Sequence, residues 1–355
     1  MRTYFYLLLI VISAFLTILV IFHFGDLPNK RNNGFKRSYF PKPFSEIQID
    51  FPDTLHEIIG STPWNIYVSL AREGEVLEIG KRPGSAIKRI KIPFFARYYD
   101  SLQFYSLSIK IDSPHIYLFS ENKPAIVKTN FDSTQFEIKI LPPGPFTREV
   151  MAGTDCFILR KFESRRMDQL FVRYNFSTGA IKKEDTISPI YGDGGIVSDG
   201  QLHFDSGAKK LYYIYYYKNL LLEFDTMLGA VNRYHSIDTT RSFKMRTGLV
   251  ENSGTRAYTN ISPANIINKV SYAQNGLLFN MSGLRADNES DEFFSANSIL
   301  DVIDMNSGGY LGSLILPALK GDKLSQFILS DDKLIGLYTN SMIVYDMNGV
   351  IRRDQ

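Results

Sequence analysis

Cysteine is almost absent: Cys156 stands alone in 355 residues. No intramolecular disulfide can form, and neither a cysteine zinc cluster nor a C-x-x-C redox pair fits within one chain. An extracytoplasmic location stays open, because a chain of this length buries a core without covalent staples. Cys156 itself sits in the apolar run Cys-Phe-Ile-Leu and reads as a buried, inert thiol. Histidine is confined to His23, His56, His115, His203 and His235. None of these stands at the i, i+4 or His-x-His spacing of metal sites, so neither a metal nor another cofactor is expected. The G-x-S-x-G elbow, the phosphate-binding G-x-x-x-x-G-K-[ST] loop and a G-x-G-x-x-G turn opening a helix are all missing, which leaves an enzymatic role without a motif.

An excess of charge is also missing. The formal net charge is +3, and residues 1–43 carry Arg2, Lys30, Arg31, Lys36, Arg37 and Lys42 against Asp26. Residues 44–355 therefore hold 34 basic and 36 acidic residues and are nearly neutral. Without a large basic face there is no electrostatic case for nucleic-acid binding.

What the chain does have is one long apolar run and many short ones. Residues 4–24, YFYLLLIVISAFLTILVIFHF, contain no Asp, Glu, Lys or Arg. Their length matches the roughly 20 residues that cross a bilayer. No small-residue cleavage site follows in His23-Phe24-Gly25-Asp26, and no lipoprotein cysteine does either, so an uncleaved signal anchor over residues 1–24 is the reading. Arg2 favours a cytoplasmic amino terminus; Lys30, Arg31, Lys36 and Arg37 oppose it. Residues 25–43, with Pro28, Pro41 and Pro43, read as a basic linker to the domain at 44–355.

Beyond residue 44 no helical stripe of ten or more residues appears. Most of the chain's 21 Tyr and 26 Phe fall here and gather in short runs such as Asn65–Leu70, His115–Phe119 and Lys210–Tyr217, divided by Gly, Asn, Asp and Pro. That is the pattern of an all-β domain. A unit then recurs: an apolar strand ending in Asp or Asn, a turn with Gly, and a second strand. It occurs as Leu170–Asn175 with Gly179, Leu221–Asp225 with Gly229, Leu300–Asp304 with Gly308, and Met342–Asp346 with Gly349. Weaker copies are Glu75–Ile79 and Ala125–Asn130. Six units fit, at about 60–96, 98–142, 145–188, 197–238, 239–317 and 320–351, which is the spacing of four-stranded propeller blades. A six-bladed β-propeller is expected, seven blades being the alternative. The fifth unit is long enough to hold an insertion. The last lacks a strand, which the alternating segment 46–51 can supply to close the ring.

On this apolar-x-apolar-[Tyr/Phe/Ile]-[Asp/Asn]-x-x-Gly pattern the chain resembles the six-bladed propeller group of NHL, YWTD and TolB-type repeats. It is similar to membrane-anchored propellers of Bacteroidetes-type bacteria. The resemblance covers about 310 residues and has no YWTD or WD dipeptide. It implies a single-pass inner-membrane protein with its body on the extracytoplasmic side, and a binding or scaffolding role.

Three stretches stand out as candidate sites. Tyr191-Gly192-Asp193-Gly194-Gly195 with Asp199 joins two blades; Asp193, Gly194 and Asp199 either meet a ligand at the channel mouth or form a plain connection. Arg241, Lys244 and Arg246 open the insertion and suit an acidic group, a partner strand or lipid, or simply the wet face of a strand. Asp287–Glu292 has oxygen ligands but lacks a calcium loop's glycine and distal Glu, and reads as a solvated loop. Arg160-Lys161 with Arg165-Arg166 reads as a charged hairpin tip. The expected function is binding of a protein or peptide partner in the bacterial envelope. The alternative is a propeller-type enzyme or electron-transfer subunit with titratable groups converging on the channel.

Overall fold

The computed structural model describes residues 2–25, 33–72, 74–82, 84–97, 107–121, 123–184, 186–241, 245–252, 255–262 and 265–351. After helix α1 (Arg2–Gly25) comes strand β1 (Phe44–Asp50). Blade one is β2 (Leu55–Ser61), β3 (Asn65–Leu70), β4 (Glu75–Gly80) and β5 (Ile87–Lys91), followed by the short α2 (Pro93–Arg97). Blade two is β6 (Leu107–Asp112), β7 (His115–Ser120), β8 (Ala125–Asn130) and β9 (Glu137–Ile140). Blade three is β10 (Phe146–Met151), β11 (Cys156–Glu163), β12 (Asp168–Asn175) and β13 (Ile181–Glu184). Blade four is β14 (Gly200–Asp205), β15 (Lys210–Tyr215), β16 (Leu220–Asp225) and β17 (Asn232–His235). A separate hairpin, β18 (Thr247–Asn252) and β19 (Thr255–Asn260), precedes blade five: β20 (Asn268–Gln274), β21 (Leu277–Ser282), β22 (Asn297–Asp304) and β23 (Gly309–Pro317). The turn from β21 to β22 carries α3 (Asp291–Ala296). Blade six is β24 (Gln326–Ser330), β25 (Lys333–Leu337) and β26 (Ser341–Asp346), completed on its outer side by β1.

The protein is thus an all-β, six-bladed propeller. β1 runs antiparallel to β26, with Ile47 opposite Val344 and Asp50 opposite Ser341, so a strand from the start of the chain covers the β26 edge as the outer strand of the last blade. The hairpin β18–β19 accounts for the length of the fifth unit.

Burial explains the repeat. The second strands β3, β7, β15 and β21 are buried at every position after the first, because sheets pack on both of their faces. The fourth strands β5, β9, β13 and β17 have no fully buried position and read as charged or polar. The Asp or Asn closing the third strand caps its turn. Asp225 Oδ1 accepts from Met227 N at 2.8 Å and Gly229 N at 2.9 Å, and Asp346 Oδ1 accepts from Asn348 N at 3.0 Å. Gly308 supplies a left-handed φ of +71°, whereas at the turn of β16 it is Leu228 and Ala230 that adopt positive φ. Cys156 is buried.

Residues 33–43, expected as part of a free linker, lie along the outer edge of blade five. Ser313 N donates to Ser38 O at 2.8 Å and Phe40 N to Ser313 O at 2.9 Å, a parallel bridge at Tyr39. The turn 287–289, expected to be solvated, clasps this segment. Arg37 Nη1 donates to both oxygens of Glu289 at 2.9 Å, and its Nε and Nη2 donate to Asp301 at 2.7 and 3.1 Å. The Tyr39 hydroxyl donates to Glu289 at 2.6 Å, and Asp287 accepts from Asn33 N at 2.7 Å.

Counted over the described residues, no helix is long and apolar enough to cross a membrane. In α1 the side chains described without a break are those of residues 9–20, all exposed.

Candidate site in the central channel

The first strand of each blade faces the axis: β2 packs beside β6 and β24, and β14 beside β10 and β20. Together they line a cavity of about 540 Å³, within the range of small-ligand sites. All six inner strands contribute to its wall.

Lys110 forms the centre of one charged group. Its Nζ lies 2.6 Å from Glu57 Oε1 and 3.8 Å from Glu149 Oε1. Burial opposes the ammonium, but the Glu57 and Glu149 carboxylates outweigh it and raise the Lys110 pKa. Burial raises the Glu149 carboxyl against the pull of Lys110 and of the Ser108 hydroxyl, which donates at 2.7 Å. Glu121, on the turn after β7, is likewise raised by burial and by Glu149, with Arg148 opposing. It has no hydrogen-bond or ion-pair partner among the described residues.

Arg148 and Arg160 form a second group, both reaching Asp199. Arg148 Nη2 donates to Asp199 Oδ2 at 2.8 Å and its Nε to Gly200 O at 2.6 Å, with the guanidinium 5.5 Å from the Tyr216 ring centre. Arg160 Nη1 donates to Asp199 Oδ1 at 3.3 Å and to Thr147 Oγ1 at 3.1 Å, and its Nη2 to Gly195 O at 2.7 Å and Ser198 Oγ at 2.9 Å. Its buried Nε has no partner. Asp199 and Tyr216 belong to the connections at the end of the ring where the inner strands begin, since Gly200 pairs with Tyr215.

His203 is the third element. Its Nε2 lies 2.8 Å from Ser271 Oγ, and burial, with Lys110 nearby, lowers its pKa to about 4. The Ser271 hydroxyl also lies 3.1 Å from Gln201 Oε1, which already accepts from Ser271 N at 2.7 Å. A hydroxyl donating its one proton to that amide leaves His203 Nε2–H as the donor to Ser271. Among the described residues no group of three or more His, Cys, Asp and Glu is disposed to hold a metal ion.

Of the residues singled out from sequence, Asp199 borders this site by pairing with Arg148 of its wall. Asp193 is buried and accepts from Gly195 N and Val197 N at 3.0 Å each, so it shapes the loop. Gly194 adopts φ +76° beneath Tyr258, and a Cβ there would meet Tyr258 Cδ2 at 3.2 Å. Arg241 and Arg246 are exposed on the insertion, away from the cavity wall, and Lys244 lies outside the described residues. Arg160 is 1% exposed and is no hairpin tip. The channel residues of β2, β6, β10 and β14 were missed. Their signal is a charged or amide residue interrupting the first strand of a unit, as in Phe146-Thr-Arg-Glu-Val-Met.

These features define a six-bladed propeller with a polar, internally paired channel. No family model matches the chain, and no curated protein matches it. Among solved structures it is similar to a DUF4221 family member from Bacteroides vulgatus, at 13% identity and a TM-score of 0.54, over 88% of this chain and 98% of that one. It is also similar to a streptogramin B lyase, at 10% identity and a TM-score of 0.48, over 84% and 97%. A third is YCF48 bound to D1 peptide, at 10% identity and a TM-score of 0.47, over 87% and 97%. The first of these likenesses establishes the fold.

Proposed function

We propose that this protein is a non-enzymatic binding module of the bacterial envelope. It is tethered by residues 4–24 with its body on the extracytoplasmic side, and it takes a cationic group of a protein or peptide partner into the channel. The observation that carries the reading is the balance of charge around the cavity. On the cavity wall Lys110 and Arg148 face three carboxylates, Glu57, Glu121 and Glu149, while Arg148 is already paired with Asp199; among the described residues Glu121 is the one of the three without a partner. An amine or guanidinium placed beside Glu121 and Glu149 completes the pairing that a buried carboxylate needs. Tyr216 offers a ring beside the same place.

The convergence of Glu, Lys, Arg and His on the channel favours catalysis as the second reading. Against acyl transfer stands the Ser271–His203 pair: a histidine with a pKa of about 4 is a weak base at neutral pH, and the hydroxyl proton is directed at Gln201.

The test is recovery of partners from gently solubilised membranes with the tagged full chain, beside Glu121→Gln and Tyr216→Ala. A stoichiometric partner held by the wild type and lost at least about tenfold by both variants supports the reading. A partner held equally by all three removes the channel from the interaction. A solitary wild-type protein leaves catalysis or small-ligand binding as the better account.

A further inference from the structure

We propose that the inserted hairpin β18–β19 rests on the membrane surface, so that the propeller lies with the starts of its inner strands toward the bilayer. The inference rests on the tether reading and adds the orientation of the body and the element that makes the contact.

The first observation is where the chain joins the ring. Asn33 is held at the root of the insertion: Thr239 Oγ1 donates to Asn33 O at 2.7 Å, and Gly34 lies against the Thr239 side chain. From Gly25, where α1 ends, to Asn33 is eight residues, which reach at most about 28 Å even when extended. Whatever path they follow, a membrane end at Gly25 keeps the root of the insertion within that distance of the bilayer. The same root adjoins the channel, because Ile267 N donates to Tyr216 O at 2.7 Å.

The second observation is the insertion's surface. Leu249 is 53% exposed, Val250 47%, Ile261 62% and Ile266 44%, on a ribbon that no second sheet covers. Leu249 and Val250 are neighbours in β18, so an exposed apolar side chain projects from each face of the ribbon, with Tyr258 on the Leu249 face lying against Gly194. That is costly in water and suited to an interface where apolar side chains sink beneath headgroups. The third observation is charge. Residues 241–266 carry Arg241, Lys244, Arg246 and Arg256 against Glu251 alone, and Lys30 and Arg31 lie in the segment between helix and ring. Each such cation is attracted to an anionic leaflet that lies within about a Debye length. Exposed apolar residues in a segment whose sequence is rich in cations, at the end of a short tether, match an anionic lipid surface. A partner reaching the channel from this side would then itself be at the membrane.

Cys156 is buried, so a cysteine introduced at Val250 can be labelled selectively with pyrene. A matching label at Trp64, 65% exposed on the turn between β2 and β3 at the opposite end of the ring, is the control. The full chain is reconstituted into phosphatidylglycerol–phosphatidylcholine vesicles containing lipids spin-labelled near the headgroup. The expected result is quenching at Val250→Cys and none at Trp64→Cys, with the quenching lost in Leu249→Asp/Ile261→Asp while the chain stays with the vesicles after alkaline washing. Retention on the vesicles without quenching at 250 overturns the docking and leaves the tether standing. Pyrene excimer emission at 250 in place of quenching assigns the hairpin to a second copy and also overturns it. A chain released by alkaline washing overturns the tether and this inference with it.

Discussion

At the edge of blade five a guanidinium is enclosed by its partners, and on the channel wall the Arg148 guanidinium is held partly open, while Arg160 beside it is buried. Arg37 and Glu289 have fully buried side chains, and Arg37 has two carboxylates and the Leu284 carbonyl around it. Arg148 and Asp199 keep 31% and 27% of their side chains exposed, and Arg160 shares Asp199 with Arg148 while its Nε has no partner. Both places use the same residue types. Where every donor has an acceptor and water is excluded, the charges act as a fastener; where the set is incomplete and borders a cavity, it is a surface for something else. The difference implies that the clasp is paid for in stability and the channel in binding.

The largest expected effect comes from removing the fastened region altogether. A chain beginning at Phe51 loses both the Arg37 clasp and β1, baring the β26 edge. It is expected to aggregate or fail to fold, read by size-exclusion chromatography and circular dichroism. A folded, monomeric product would show that the ring closes without its first strand.

Next is Arg37→Ala in the full chain. Glu289 and Asp301 are left buried without their cation, which costs about 3–5 kcal/mol. Urea denaturation in detergent should show the lower midpoint. The matching Arg148→Ala change in the channel should cost clearly less, because its partner Asp199 stays partly hydrated and keeps Arg160. Equal losses would erase the distinction between the two regions.

Much of the ring was legible because its rules are local. The Asp or Asn that ends a third strand caps a turn two to four residues later, and the apolar second strands and polar fourth strands are each visible in six residues or so. Even β1 could be read, since Glu46–Asp50 alternates and an outer strand needs one wet face. The clasp could not. Arg37 meets Glu289 across 252 positions, so an isolated acidic run and an isolated basic segment each looked solvated. The channel was hidden for the same reason on a larger scale. Glu57, Lys110, Glu149, His203 and Ser271 are neighbours only because the ring closes, and each alone is one polar residue in a short strand. Asp193 misled in the other direction: a glycine-rich turn with an acid looks like a ligand loop, but its carboxylate is used up by Gly195 N and Val197 N.

Acid should act mainly on the channel. His203 titrates near 6.5 when unfolded and at about 4 in the fold. Between those values the unfolded chain binds more protons, so this contribution is present above about pH 6.5 and is lost as the pH falls toward 4, on the order of 1–3 kcal/mol. Glu149, whose pKa is raised, has the opposite sign: its contribution falls as pH rises above the ordinary carboxyl range. The two offset in part, so the decisive measurement is the difference between wild type and His203→Gln in urea midpoints at pH 7 and pH 5. The variant should lose less on acidification; an unchanged difference would mean that His203 is not held neutral by the fold.

The smallest effect sharpens the comparison most, because it uses one substitution in both places. Glu289→Gln removes a carboxylate that accepts from Arg37, Tyr39 and Ala286 N, and should cost about 1.5–3 kcal/mol. Glu149→Gln keeps an oxygen to accept from Ser108, leaves Lys110 with Glu57 at 2.6 Å, and relieves a carboxylate that burial disfavours. It should fall within about 0.5 kcal/mol of wild type at neutral pH, on either side. If Glu149→Gln instead destabilises as much as Glu289→Gln, the channel charges are a second fastener, and the argument that they await a cationic partner loses its footing.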